Sequence, residues 1–211
     1  MNNIFYLECP CTSFPRSFAR DYKETYLYPP PSTIYGFLLS FVGEEDLTAH
    51  LGVKLAIGFI GETPPISRIL RKQRSHKFSK KHQQTYSSAQ FSKPNFQELL
   101  TDLKIVIKVN SEEELSKLKL ENRINIALST PKKINRFGGL SLGESWALVN
   151  GFRYYREDDG EITWLNTDSR GLIGLPIWID RETNRGTFQR FSLGEFNMEC
   201  WVTVSLVDNQ H

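Results

Sequence analysis

The segment Arg136-Phe137-Gly138-Gly139-Leu140-Ser141-Leu142-Gly143-Glu144-Ser145 holds the densest set of residues able to cradle a ligand. Gly138 and Gly143 have the G-x-x-x-x-G spacing of a P-loop, and Ser145 stands at its Ser/Thr position. Glu144, however, occupies the place of the phosphate-binding lysine, where a carboxylate would repel the β- and γ-phosphates. A P-loop also runs from a strand into a helix, whereas here a helical pattern precedes and a β-prone run follows. Nucleotide hydrolysis is therefore excluded. What remains is geometric. Glycines without a Cβ let the backbone approach a phosphate or base and point several N–H groups at it. Arg136 adds a charged fork and Phe137 a stacking surface. Two readings stay open at this point: an anion or base cradle, or a tight helix-to-strand turn that holds nothing.

A second candidate is electrostatic. Between Ile66 and Lys93 lie Arg68, Arg71, Lys72, Arg74, Lys77, Lys80, Lys81 and Lys93, with His76 and His82 among them and no Asp or Glu. These eight come from 26 basic residues, which leaves 18 against 24 acidic residues elsewhere, a balance of −6, although the whole chain is +2. A mildly acidic body with one concentrated cationic segment points to a polyanionic partner, the alternative being a solvated loop. His76, His82, Lys77, Lys80, Lys81 and Tyr86 also make a His/Lys/Tyr acid–base cluster conceivable, but a general base needs fixed geometry that a basic loop does not guarantee.

The remaining reactive residues point to structure. Cys9 and Cys11 form C-P-C and Cys200 stands alone, a pattern that fits neither a disulfide framework nor a zinc site. Glu44-Glu45-Asp46 and Glu157-Asp158-Asp159 sit beside glycines at element ends and read as surface turns, not metal ligands. Trp164 and Trp178 fall in strand-like runs and read as core. No metal or cofactor is expected. The absence of a long apolar run and of a leader-like N-terminus predicts a cytoplasmic protein with no membrane partner.

The elements that would position these residues follow from periodicity. Ile4–Glu8 reads as a first strand broken by Pro10, and Ser32 and Thr33 read as caps of a largely buried helix over Ile34–Phe41. Leu51–Ile60 and Leu103–Val109 read as strands on either side of the cationic insertion. Ser111 with Glu114 forms a capping box for a helix whose apolar face is Leu115, Leu118, Ile124, Ala127 and Leu128, with a break near Asn122 and an end at Pro131. Trp146–Val149 would be the fourth strand. The order β–α–β, insertion, β–α–β is the split βαβ layout of ferredoxin-like domains, shared by the RNA-recognition fold. Beyond Gly160 the pattern is all β: Glu161–Asn166, Leu175–Ile179, Thr187–Phe191 and a closing strand at Met198–Val207. The predicted class is α+β, with a ferredoxin-like domain at 1–155 and a β-rich extension at 156–211 that shares its core.

Three segments together resemble Cas family 5, the RAMP-type subunits of CRISPR surveillance complexes, in its DevS-like branch. They are Arg20-Asp21-Tyr22-Lys23-Glu24-Thr25-Tyr26, then Pro29–Leu38, then Arg136–Ser145 with Leu148-Val149-Asn150. The resemblance implies a RAMP domain whose basic insertion, about residues 63–96, forms a β-hairpin thumb. It implies an RNA-binding subunit of a Cascade-type complex that caps the 5′ handle of the CRISPR RNA, serves antiviral defence, and meets target DNA only through the complex. It further implies packing against the backbone subunit and the large subunit. Arg68, Arg71, Lys72, Arg74, Lys77 and Lys81 would neutralise phosphates. Handle bases would stack on Phe137, Phe78 or Tyr86 and be read by Ser141 and the backbone of Gly138 and Gly139 beside Arg136. Arg16, Arg20, Tyr26 and Ser32 join this RNA-binding set, and Glu144 is expected to be structural. Some members of the family cleave precursor RNA without metal. Their pattern is not recognisable here, so a binding role without catalysis is expected, the alternative being a metal-independent processing endoribonuclease.

Overall fold

The structure, a computed structural model, describes residues 4–16, 22–74, 92–180, 182–183 and 185–205. Strand β1, Ile4–Thr12, buries Phe5, Leu7 and Cys9 completely, the period of two that one-sided burial demands. Pro10 does not break it. Pairing passes from Cys9↔Leu103 to Cys11↔Thr101, and Asp102 on the partner strand takes φ +55°. Proline has no N–H to give the ladder, and an irregular partner residue lets the strand continue past it.

The short strand β2, Tyr22–Lys23, precedes helix α1, Pro31–Phe41. Ser32 and Thr33 do not cap α1. Pro30 is the N-cap, and its carbonyl accepts from the Thr33 and Ile34 amides, while Pro31 takes the first helical position, where a missing N–H costs nothing. Strand β3, Lys54–Ile60, leads to β4, Ile66–Arg74, and β5, Ser92–Asn110. Helix α2 spans Leu120–Ser129 without a break at Asn122. It starts well after the Ser111–Glu114 capping box predicts, so Leu115 and Leu118 lie outside it and are exposed. The two predicted capping residues still cap it, from a distance. Ser111 Oγ accepts from the Glu121 amide at 3.3 Å, and the Glu114 carboxylate accepts from the Leu120 amide at 3.0 Å. The fourth strand is β6, Gly151–Tyr154, and not Trp146–Val149, which belongs to a loop.

Strands β7 (Ile162–Thr167), β8 (Ile173–Ile179), β9 (Gly186–Gly194) and β10 (Val202–Thr203) complete the described sheet. Of the predicted closing strand Met198–Val207, the described residues keep Val202–Thr203 as strand, and Asn197 caps a 3₁₀ turn at Met198–Cys200 before it. The order is β6-β1-β5-β3-β7-β9-β8. Strands β10 and β7 share one edge of β3, through Leu55↔Val202 and Gly58↔Trp164. Both helices pack on one face, and β8 folds over α1, with Ser32 Oγ donating to Pro176 O and Tyr35 facing Trp178. Leu165, Leu175, Trp178, Phe191 and Val202 therefore join Phe5, Leu38 and Ile105 in a single core.

The other face of the central sheet is closed as well. Ala56 and Val106 are covered by Trp164, Cys200, Tyr155 and Trp201. Lys108 sits 3.5 Å from the centroid of the Phe196 ring, and burial lowers its pKa. No helix among the described residues is long and apolar enough to cross a membrane.

Candidate nucleic-acid interface

Strand β5 changes partner along its length. Its C-terminal part pairs with β3, whereas Ser92–Leu100 pairs with β4 in an antiparallel arm that runs from Ile66↔Leu100 out to Arg74↔Ser92. At the base of the arm two consecutive polar residues, Gln97 and Glu98, are both buried. Successive side chains of a strand point to opposite faces, so one polar site is built on each side of the arm.

On the first side, the Glu98 carboxylate accepts from Tyr22 Oη at 2.6 Å and from the Thr25 amide at 3.1 Å, with Arg68 Nε 3.6 Å away. Burial alone pushes the Glu98 carboxyl up, but Tyr22, the Thr25 amide and Arg68 together hold it below the usual carboxylate range. The Arg68 guanidinium lies 5.9 Å from the Tyr22 ring centroid. Thr25 Oγ1 in turn accepts from the Phe14 amide, and the Tyr26 amide donates to Phe14 O. Tyr26 itself is half-buried under Arg16, whose guanidinium lies 5.4 Å from the ring centroid and 3.6 Å from Glu24.

On the second side, Arg71 Nη1 donates to Gln97 Oε1 at 2.6 Å, Gln97 Nε2 donates to Glu144 Oε1 at 3.0 Å, and Trp146 Nε1 donates to Glu144 Oε2 at 2.7 Å. Glu144 is thus a strut of the glycine-rich loop. The Leu142 amide bonds Ala147 O, the Val149 amide bonds Leu140 O, and Thr12 Oγ1 donates to Leu142 O at 2.5 Å. Around this braced part, Arg136, Phe137, Gly138 and Gly139 are exposed, Phe137 completely. Ser141 is half-buried and bridges to Leu148.

Three segments far apart in the chain therefore meet at the arm base: residues 12–16 with 22–26, the inner half of the arm, and residues 136–149. Of the sequence-selected residues, Arg16, Tyr26, Arg68, Arg71 and the loop residues gather here. Ser32 does not, because its hydroxyl faces β8. Lys72 and Arg74 have their backbone in β4, but their side chains lie outside the description, and Arg20, Lys77 and Lys81 lie outside the described residues. Gln97, Glu98, Tyr22 and Trp146 were not singled out from sequence. The signal in the sequence was slight: Gln97-Glu98 set between Phe96 and Leu99-Leu100.

Several other titratable residues are engaged away from the arm base. His50 and Glu114 are buried with Nδ1 2.6 Å from Oε1, and His50 Nε2 lies 3.0 Å from Arg123 Nη1. Arginine can only donate, so Nε2 accepts and Nδ1 carries the proton toward Glu114. Arg123 also holds Glu44 Oε2 at 2.5 Å and Val42 O, and Arg153 grips Asp159 with both Nη atoms. Both acidic clusters are thus turns fixed by arginine. No group of His, Cys, Asp and Glu able to hold a metal occurs among the described residues, and Cys9, Cys11 and Cys200 are free thiols.

The described residues form a mixed α/β fold, dominated by one sheet with two helices on one face, and this fold is shared by solved CRISPR-associated proteins. One chain of a structure described as a CRISPR RNA-guided surveillance complex superimposes with a TM-score of 0.63 at 13% identity, over 90% of this chain and 89% of that one. A structure described as a Cas protein gives 0.52 at 13% identity, over 90% and 92%. No protein-family model matches the chain. CRISPR-associated protein Cas5 of Myxococcus xanthus (strain DK1622) is 35% identical over 195 residues, 89% of this chain and 86% of that protein. The chain belongs to the Cas5 family.

Proposed function

We propose that this chain is the RNA-binding subunit of a type I CRISPR effector, capping the 5′ handle of the CRISPR RNA and bridging the backbone and large subunits. The observation that carries this reading is the joining of a cationic arm to an exposed glycine-rich loop through Arg71, Gln97 and Glu144. Phosphates would be met by the arm and bases by Phe137, Ser141 and the Gly138–Gly139 backbone. In the RNA-recognition layout bases stack on the open sheet face. Here that face is covered by Trp164, Cys200 and Trp201, which favours the arm and loop instead. The order β6-β1-β5-β3, with α1 and α2 on one face, supports the ferredoxin-like assignment, and the β4–β5 pair supports a thumb within residues 63–96.

If about four arm and loop cations neutralise phosphates, the single-strand salt slope is about −2.8, and a fourfold rise in salt weakens binding roughly fiftyfold. Reversing Arg71, Lys72 and Arg74 to Glu should abolish handle binding in the assembled complex and flatten that slope. Handle affinity equal to wild type would reduce the chain to a scaffold.

We further propose that the chain binds without cutting. Processing would need His76 or His82, which lie outside the described residues, with a lysine and a tyrosine. Purified protein incubated with its repeat RNA in EDTA should leave the RNA intact. Specific scission that disappears in His76→Ala or His82→Ala would make it an endoribonuclease.

A further inference from the structure

We infer that Gln97 is a positioning residue that fixes the glycine-rich loop against the cationic arm, and so sets the relative placement of the two RNA-contacting elements. The inference rests on the RNA-binding reading above and adds to it a residue that touches no RNA.

The Gln97 side chain is fully buried and bonds a residue of the arm on one side and a residue of the loop on the other. Its Oε1 faces the Arg71 cation and its Nε2 faces the Glu144 anion. A carboxamide has an acceptor at one prong and donors at the other, so its dipole lies along the line from cation to anion. A flip would set the NH2 against the guanidinium and the oxygen against the carboxylate, making both contacts repulsive, and this fixes the amide orientation. Arg71 is exposed and gives Gln97 a single hydrogen bond from Nη1, a geometry compatible with a phosphate on the remaining donors. Glu144 is held from its other side by the Trp146 indole, so the chain Arg71–Gln97–Glu144–Trp146 runs from β4 through β5 into the loop. The loop's other anchors run to β1, through Thr12 Oγ1 to Leu142 O and the Asn150 amide to Glu8 O. These hold the loop to the sheet, but not to the arm.

The carboxamide of Gln97 turns its acceptor to Arg71 and its donor to Glu144. Gln97→Leu removes both bonds and strands a buried face of Glu144. Gln97→Glu keeps the Arg71 contact but sets two carboxylates against each other. The exchange Gln97→Glu with Glu144→Gln remakes the chain with polarity moved by one position. The new carboxylate at 97 accepts from Arg71 and from the amide at 144, whose oxygen accepts from Trp146.

The test uses the purified full chain, a labelled RNA carrying its own repeat-derived 5′ handle, and a scrambled RNA of equal length. Gln97→Leu and Gln97→Glu should each lose about tenfold of the preference for handle over scrambled RNA, while the salt slope, which counts phosphate contacts, stays at the wild-type value. The double exchange should restore the preference to within about twofold. In the absence of RNA, hydrogen exchange at the Leu142 and Val149 amides should speed up in Gln97→Glu and return to wild-type rates in the double exchange. Unchanged exchange in Gln97→Glu, or a double exchange no better than that single variant, overturns the inference. If wild type shows no preference between the two RNAs, the RNA reading fails, and the exchange rates alone decide whether Gln97 positions the loop.

Discussion

Gly138 and Gly143 share the left-handed backbone, at φ +85° and +82°, yet do different work. A Cβ on Gly138 would meet nothing within 4 Å, whereas one on Gly143 would lie 2.6 Å from Ser13 O and against the Phe14 ring. Gly138→Ala should therefore cost only the conformational penalty, about 1 kcal/mol. Gly143→Ala adds an overlap with backbone that cannot move without disturbing β1, and should cost roughly 3 kcal/mol. Urea unfolding at constant slope measures both. The arginine-held carboxylates give a second residue-scale prediction. A hydrogen bond from Arg123 holds the Glu44 carboxyl below its ordinary range, and one from Arg153 does the same for Asp159. A carboxyl depressed in the folded state binds its proton more readily when unfolded. The stabilisation is thus present above the ordinary carboxylate pKa of about 4 and lost as pH falls through the folded value. Arg153→Ala should lower stability at pH 6 and make it fall less steeply between pH 5 and 3, as read by denaturation across that range.

At the scale of elements, α2 depends on residues that precede it. Its first amides are met by Ser111 and Glu114 across an exposed turn, and Glu114 also accepts a hydrogen bond from His50 Nδ1. Lys119 Nζ closes the turn on Glu114 O. Glu114→Ala would leave a buried imidazole N–H and a helix N-terminus without acceptors, a loss of about 3 kcal/mol. The same variant should raise hydrogen exchange at Leu120 well before global unfolding. His50→Ala should cost less, because Glu114 keeps the Leu120 amide. The arm makes the complementary case. Its backbone is held by the β4–β5 ladder, it leaves Leu70 and Phe96 exposed, and among the described residues Gln97 and Glu98 at its base carry the bracing side chains.

Across the whole molecule, the C-terminal strands complete a sheet that the first 155 residues cannot close. Strand β3 is flanked by β10 at Leu55 and by β7 from Gly58 to Ile60. Removing everything after Tyr155 would open this edge and uncover Tyr35, Leu38 and Ala56, which pack beneath Trp178 and Trp164 and their neighbours. A fragment ending at Tyr155 should therefore show no cooperative thermal transition and should aggregate through the exposed β3 edge. The full chain should unfold in one transition that is the same by tryptophan fluorescence and by far-ultraviolet circular dichroism. Two separated transitions would mean that the extension folds as a unit of its own.

The sequence by itself determined what depends on local chemistry. The β-prone runs Ile4–Glu8 and Leu103–Val109, the helix end before Pro131, the cationic segment and the exclusion of a nucleotide site by Glu144 were all legible, because each rests on local conformational or charge preference, whereas the helix start at Pro31 was not. The three segments that carried the family resemblance were legible in the same way, as residues in fixed short spacing. Tertiary structure alone decided that these segments meet. Glu98 and Gln97 turn polar atoms toward Tyr22, Thr25 and Glu144, which are 47 or more residues away. It also decided that β1 passes through Pro10, that α2 begins at Leu120, and that Gly151–Tyr154 and not Trp146–Val149 pairs with β1. In each case a partner from elsewhere in the chain satisfied a backbone or side-chain group that local rules had left unmatched, and no local pattern specifies that partner.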